Sequence, residues 1–214
     1  MFNLKMFSLL AFVVVIAGIG SAALAAPAYP GYTGMIFTPN ETTLGMGAVD
    51  FGAAFVSNDD VDTSYFSANF GVIDGLEVGA SILDPDEGDS NTIINAKYSI
   101  VKENYARPGI AVGFSDLANE IDSTPYIVVG KSLNLPGLTV KSLRGHIGFG
   151  DGTLDGLFAG LSATLTDTLT LSLEHDSDEI NVGLQMSVAT GLRAHADLID
   201  GDDLGFGLSY SKGF

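Results

Sequence analysis

The chain has no cysteine and no tryptophan among its 214 residues. Without cysteine there is no disulfide staple, no thiolate nucleophile and no Cys-ligated zinc. Basic residues are scarce: nine Lys and Arg stand against 26 Asp and Glu, for a net charge of −17. Nucleic acid is a polyanion that needs a basic footprint, so it is excluded as a partner. Only 16% of residues are charged, too few for a solvated disordered chain. After the first 25 residues no stretch reaches the ~20 apolar residues of a spanning helix. One domain of about 200 residues is the expectation.

The first segment is an address. Met1–Lys5 carries one positive charge, and the run from Phe7 to Gly20 is almost wholly apolar. Ala23-Leu24-Ala25 fits the small-x-small pattern, which predicts a signal peptide over 1–25 cleaved after Ala25. The alternative is an uncleaved anchor, but Pro27 and Pro30 do not continue a helix. Residues 26–44 contain Pro and Gly and have no clear rhythm; they are expected to form an extended N-terminal segment.

From residue 45 onward the period is two. Leu157, Ala159, Leu161, Ala163 and Leu165 alternate with Gly160, Ser162 and Thr164. Ile180, Val182, Leu184, Met186 and Val188 alternate with Asn181, Gly183, Gln185 and Ser187. Leu204, Phe206, Leu208 and Tyr210 alternate with Gly205, Gly207, Ser209 and Ser211. This is the pattern of strands with one apolar face. Twelve segments follow it: 46–56, 63–72, 75–83, 91–101, 108–115, 123–133, 138–150, 156–165, 168–175, 179–188, 191–199 and 202–214. A count of ten or fourteen is the margin. Short connections join them, as in a meander of antiparallel hairpins.

A soluble secreted β-sandwich or lipocalin-like barrel turns its apolar face inward; a transmembrane barrel turns it toward lipid. Here the other face is Gly, Ser, Thr, Asn and Ala, a poor exterior for a soluble protein. The expected fold is therefore all-β: a transmembrane antiparallel up-and-down barrel over 45–214, located in the bacterial outer membrane. Phe66, Phe70, Tyr98, Phe114, Tyr126, Phe206 and Tyr210 are the candidates for its aromatic girdle. Its partners are then outer-membrane lipid and lipopolysaccharide.

Charge sorts by connection. Twenty of the 26 acids lie in alternate connections: 57–62 (Asp59, Asp60 and Asp62), 84–90, 116–122, 151–155, 174–179 and 197–203. All eight Lys and Arg beyond the leader fall in the opposite half of the strands or in the short turns. Short turns are expected to be periplasmic and acidic loops extracellular. Solubility accounts for most exposed acids. Carboxylate oxygens also suit calcium or magnesium, with Asp84, Asp86, Asp89, Asp200, Asp202 and Asp203 as candidate ligands and no other cofactor expected. No loop has the EF-hand spacing.

Parity places Asp50, Glu77, Lys97, Arg144, His146, Arg193, His195 and Asp197 on the lumen wall. Glu77 and Lys97, on adjacent strands, can pair across the ladder. The parity of Lys131 is ambiguous, because Ile127 and Val129 share its face. Outer-membrane enzymes with a Ser–His site place it on the lipid face; here His146 and His195 read inward and His175 lies at a strand end. A lipid-modifying enzyme is the rival class.

Phe70–Gly79 reads as strand, tight turn and strand, a phrase common in outer-membrane barrels. Asn95-Ala96-Lys97-Tyr98, Arg107–Gly113, Pro125–Lys131, Gly207–Ser211 and Gly34–Asn40 together resemble the YjbH-like group of exopolysaccharide-associated outer-membrane barrels, in a short, non-lipidated form. The resemblance implies polysaccharide-export components as partners. An aromatic last residue, Phe214 in phase with Tyr210, resembles the signal read by the barrel-assembly machinery. The expected function is non-enzymatic: a structural barrel or a narrow, cation-preferring, porin-like channel of the cell envelope.

Overall fold

The computed structural model describes residues 26–58, 61–134, 137 and 139–214. Residues 1–25, where a signal peptide is expected, and Asp59 and Asp60 of the first acidic loop lie outside the described residues. Twelve strands form one closed antiparallel barrel: β1 Val49–Ser57, β2 Thr63–Ile73, β3 Leu76–Pro85, β4 Asn91–Val101, β5 Gly109–Ser115 and β6 Thr124–Leu133, followed by β7 Ser142–Gly150, β8 Gly156–Thr164, β9 Leu169–His175, β10 Ile180–Ala189, β11 Leu192–Ile199 and β12 Asp203–Lys212. Each strand pairs with its sequence neighbours. The barrel shuts where β1 meets β12, from Val49 opposite Lys212 to Ser57 opposite Leu204. Closure leaves every strand paired on both sides, which a spanning sheet requires. The ladder shifts register at Gly71/Ile73, Ser99/Val101 and Ser187/Ala189, all at the short-turn end.

The burial pattern is inverted relative to a soluble protein. Ile94, Phe149 and Leu157 are 46%, 56% and 63% exposed on the outer wall. Asp50, Glu77, Lys97 and Asn181 are buried within. This is a transmembrane up-and-down barrel with an apolar exterior and a polar interior. Phe66, Phe70, Tyr98, Phe114 and Phe206 sit on the outer parity. Tyr126 corrects the girdle assignment: it is buried inward, its ring 5.6 Å from that of Tyr32. Tyr210 is in phase with Phe206 yet buried, its ring covering the turn glycine Gly191. Phe214 lies beyond the end of β12 and is highly exposed, with Lys212 Nζ 4.9 Å from its ring centre. Lys131 is off the inner parity; its ammonium caps carbonyls of the β4–β5 turn, at 2.5 Å for Asn104 and 3.2 Å for Arg107.

Candidate functional site

The extended segment expected over 26–44 is instead folded inside the barrel. Two isolated bridges, Pro27–Thr33 and Gly34–Pro39, tie it into a compact double turn. The reason is hydrogen bonding. Backbone without a strand partner must find donors and acceptors elsewhere when buried, and the lumen wall supplies them. Ala28, Tyr29, Tyr32, Thr33, Ile36, Thr38, Glu41 and Leu44 are all buried.

Four wall clusters hold this plug. On β9, Glu174 accepts the N–H groups of Ile36 at 3.0 Å, Phe37 at 2.8 Å and Thr38 at 3.1 Å, and the Thr38 hydroxyl at 2.7 Å. His146 Nε2 on β7 lies 3.0 Å from the same hydroxyl. On β3, Glu77 accepts the N–H groups of Thr33 and Leu44, both at 2.9 Å. Its register partner Lys97 lies 3.9 Å away as an ion pair and donates to the Thr33 carbonyl at 2.5 Å. On β11, Asp197 accepts the Tyr29 hydroxyl at 2.8 Å and contacts His195 Nδ1 at 2.6 Å. At the short-turn mouth, Arg144 on β7 bridges Glu41 of the plug, at 2.8 Å from Nε, to Glu103 of the β4–β5 turn at 2.5 Å. Burial pushes the Glu103 carboxyl up, but the Ser132 N–H and the Arg144 guanidinium outweigh it and hold the group below the usual carboxylate range.

The fit depends on missing side chains. A Cβ at Gly130 would fall 1.7 Å from the Glu41 carboxylate, and one at Gly205 would fall 2.1 Å from the Tyr29 hydroxyl. Two apolar clusters seat the plug against the wall in the acidic-loop half of the lumen. One joins Tyr32, Tyr126, Val128, Leu154 and Phe158; the other joins Tyr29, Ile36, Val56 and Ile199. Below the plug lies a cavity of about 1030 Å³, lined by Met35, Asn40, Arg144, Gln185 and Arg193. Thr168 and Thr190, in the short turns, also line it, so it opens at that end.

All eight lumen residues named from parity face inward or are buried: Asp50, Glu77, Lys97, Arg144, His146, Arg193, His195 and Asp197. Six of them meet the plug or one of its partners directly. Asp50 bonds the Ser211 hydroxyl at 2.5 Å, and Arg193 lines the cavity. Glu174 was misplaced: counted with an acidic loop, it is a buried wall residue of β9. Its even parity with Thr170 and Ser172 was the available signal. Glu41 had no such signal, since the plug has no period.

The cation candidates do not converge. Asp84 accepts Ser90 Oγ at 2.5 Å, Asp203 accepts Asn58 Nδ2 at 2.5 Å, and the Asp200 N–H bonds Asn181. Among the described residues no three acidic or His side chains form a metal-ligand group. At the same rim, burial and then the carboxylates of Asp200, Asp176, Asp178 and Asp203 push Glu179 upward. His175 stands on the outer parity of β9 at the acidic rim, its Nδ1 3.0 Å from the Glu179 carbonyl, whereas His146 and His195 face inward to Thr38 and Asp197.

No protein-family model matches the chain, and no curated protein is significantly similar in sequence. Among solved structures it is similar to a KdgM porin, with a TM-score of 0.53 and 15% identity over 78% of this chain and 99% of that one. A KdgM porin in complex with disordered oligogalacturonate gives a TM-score of 0.51 at 14% identity, with the same coverage. At these identities the likeness is one of fold: a twelve-stranded barrel of the outer-membrane type.

Proposed function

We propose that the protein is a non-enzymatic bacterial outer-membrane channel held shut by its own N-terminal segment. The observation that carries this reading is the plug itself. A barrel of about eight strands can fill its lumen with wall side chains, and the diameter grows with strand number. This one leaves room for 19 residues and grips them at four polar clusters. The polar clusters are built from hydrogen bonds and ion pairs, which can exchange for water if the segment withdraws toward the open short-turn end.

The oligogalacturonate in the similar porin is an anionic sugar. In this chain the permanent cations described in the lumen are offset by carboxylates: Lys97 is paired with Glu77, Arg144 with Glu41, and Arg193 is within electrostatic reach of Asp50. Acidic loops crown the other end. An opened lumen would therefore favour cations and neutral solutes over anions. A polysaccharide-export role, as the YjbH-like resemblance implies, would use the same passage with a neutral chain. The test is solute flux in proteoliposomes. The intact mature chain should pass little, and a chain lacking 26–44 should pass small neutral sugars and cations faster than anions. Equal, slow flux in both would leave a structural barrel.

A further inference from the structure

The lumen carboxylates differ in how many of their partners belong to the wall and how many to the plug. Without the plug, Glu77 keeps Lys97 at 3.9 Å and Asp197 keeps His195 Nδ1 at 2.6 Å. Asp50 keeps the Ser211 hydroxyl at 2.5 Å, with Arg193 in electrostatic reach. Arg144 loses Glu41 and keeps Glu103. Glu174 is left with least. Four of its five hydrogen-bond donors are plug groups: the N–H groups of Ile36, Phe37 and Thr38 and the Thr38 hydroxyl. The fifth is the neutral amide of Asn181 at 3.3 Å, and among the described residues no Lys, Arg or His side chain pairs with Glu174. Three successive N–H dipoles and a hydroxyl thus stand where a buried carboxylate needs a cation.

The same stretch of plug fills the space around this carboxylate. Met35 covers Gly160, the register partner of Glu174 on β8, and Ile36 covers Gly183 on β10. A Cβ would fall 2.5 Å from Met35 Sδ at the first glycine and 3.1 Å from Ile36 Cδ1 at the second. Neither glycine has a side chain to refill the lumen when the turn leaves. Glu174 is the penultimate residue of β9, just inside the acidic-loop end. Asn181 links it to that rim, donating to Asp176 at 2.9 Å. Cations gathered by the rim carboxylates therefore meet Glu174 next.

We propose that Glu174 is the residue that selects cations in the opened channel: the turn 36–38 sits on it in the shut state, and a small inorganic cation takes that place as it permeates. This rests on the reading of the protein as a plugged channel and names the group that sets its ion preference. A carboxylate without a countercharge, on a narrow wall of low dielectric, concentrates cations and repels anions. Glu77 does this less, because the field of Lys97 beside it largely cancels its own. One side chain thus serves both states, as the seat of the plug and as the filter behind it.

The test is single-channel recording of the full mature chain across a potassium chloride gradient, for wild type, Glu174→Gln, Glu174→Asp and a rim variant with Asp200, Asp202 and Asp203 all changed to Asn. Glu174→Gln should open more often, because the turn loses its charge-assisted bonds. Its openings should also lose cation preference, the cation-to-anion permeability ratio from the reversal potential falling by about threefold or more. Glu174→Asp should keep most of the preference, and the rim variant should shift the ratio less than Glu174→Gln although it removes three charges. A residue that only holds the plug would change the opening frequency and leave the reversal potential where it was. Glu174→Gln openings at the wild-type reversal potential, a loss of preference as large in Glu174→Asp, or an equal or larger shift in the rim variant would each overturn the assignment and leave the channel reading standing. Wild type and variants that never open would overturn both.

Discussion

Glu174 Oε2 accepts the Thr38 hydroxyl at 2.7 Å across 136 residues of chain. The same carboxylate takes three consecutive backbone N–H groups, of Ile36, Phe37 and Thr38. One wall residue therefore satisfies a whole turn of plug backbone that has no strand to pair with. Charge-assisted bonds of this kind are roughly twice as strong as neutral ones, and the site is buried, where an unmet donor is costly.

Glu174→Ala should for that reason act on the plug before it acts on the barrel. Two buried N–H groups and one half-buried one would lose their acceptor, a cost of about 3 kcal/mol. The expected outcome is faster proteolysis within 26–44, with the strands still protected. Unchanged cleavage would show that Glu174 does not hold the segment.

The outward apolar assignment makes a sharper contrast. Leu184 is 43% exposed on the outer wall, and Gln185 is its inward neighbour on β10. Leu184→Arg near the midplane should destabilise the barrel by ~2–4 kcal/mol, and Gln185→Arg by much less. Urea midpoints in lipid check this; equal values would contradict the orientation.

Deletion of Phe214 tests assembly. The residue lies past the end of β12, largely exposed, and contributes little to packing. A loss of outer-membrane protein with periplasmic degradation is expected, without a matching loss of stability in vitro. Normal levels in the membrane would show that the terminal aromatic is not read.

The acidic rim predicts a pH dependence. Glu179 is pushed up by burial and by neighbouring carboxylates. Its folded state holds the proton more tightly than the unfolded chain, so its contribution favours folding when protonated and is lost as pH rises through the raised value. Glu179→Gln should raise Tm at neutral pH, with the gain shrinking as pH falls through the raised value and gone by about pH 4. Calcium should mimic the gain beyond sodium at equal ionic strength only if the ion is coordinated; equal shifts would reduce the rim to screening.

The wall was legible because period two is a strong signal over ten residues, and small polar residues on the second face fixed its sense. Glu77 and Lys97 could be paired from parity alone, because adjacent strands share one ladder. The plug was not legible. Its backbone follows no period, and its partners are remote: Thr33 meets Glu77, and Tyr29 meets Asp197 from the other end of the chain. The imprint lay in the wall glycines. Gly130, Gly183 and Gly205 leave space that Glu41, Ile36 and Tyr29 fill, and a run of glycines at inward parity is what a mould for a foreign segment requires.

The central claim is that residues 26–44 close the lumen. It is tested most directly by single-channel conductance across a planar bilayer, comparing the mature chain with one that begins at residue 45, both shown to be folded by their β-sheet circular dichroism. The account predicts brief, rare openings for the mature chain and a steady cation-selective conductance for the shortened one, silenced when a peptide of sequence 26–44 is added from the short-turn side. A mature chain that conducts as steadily as the shortened one would contradict it.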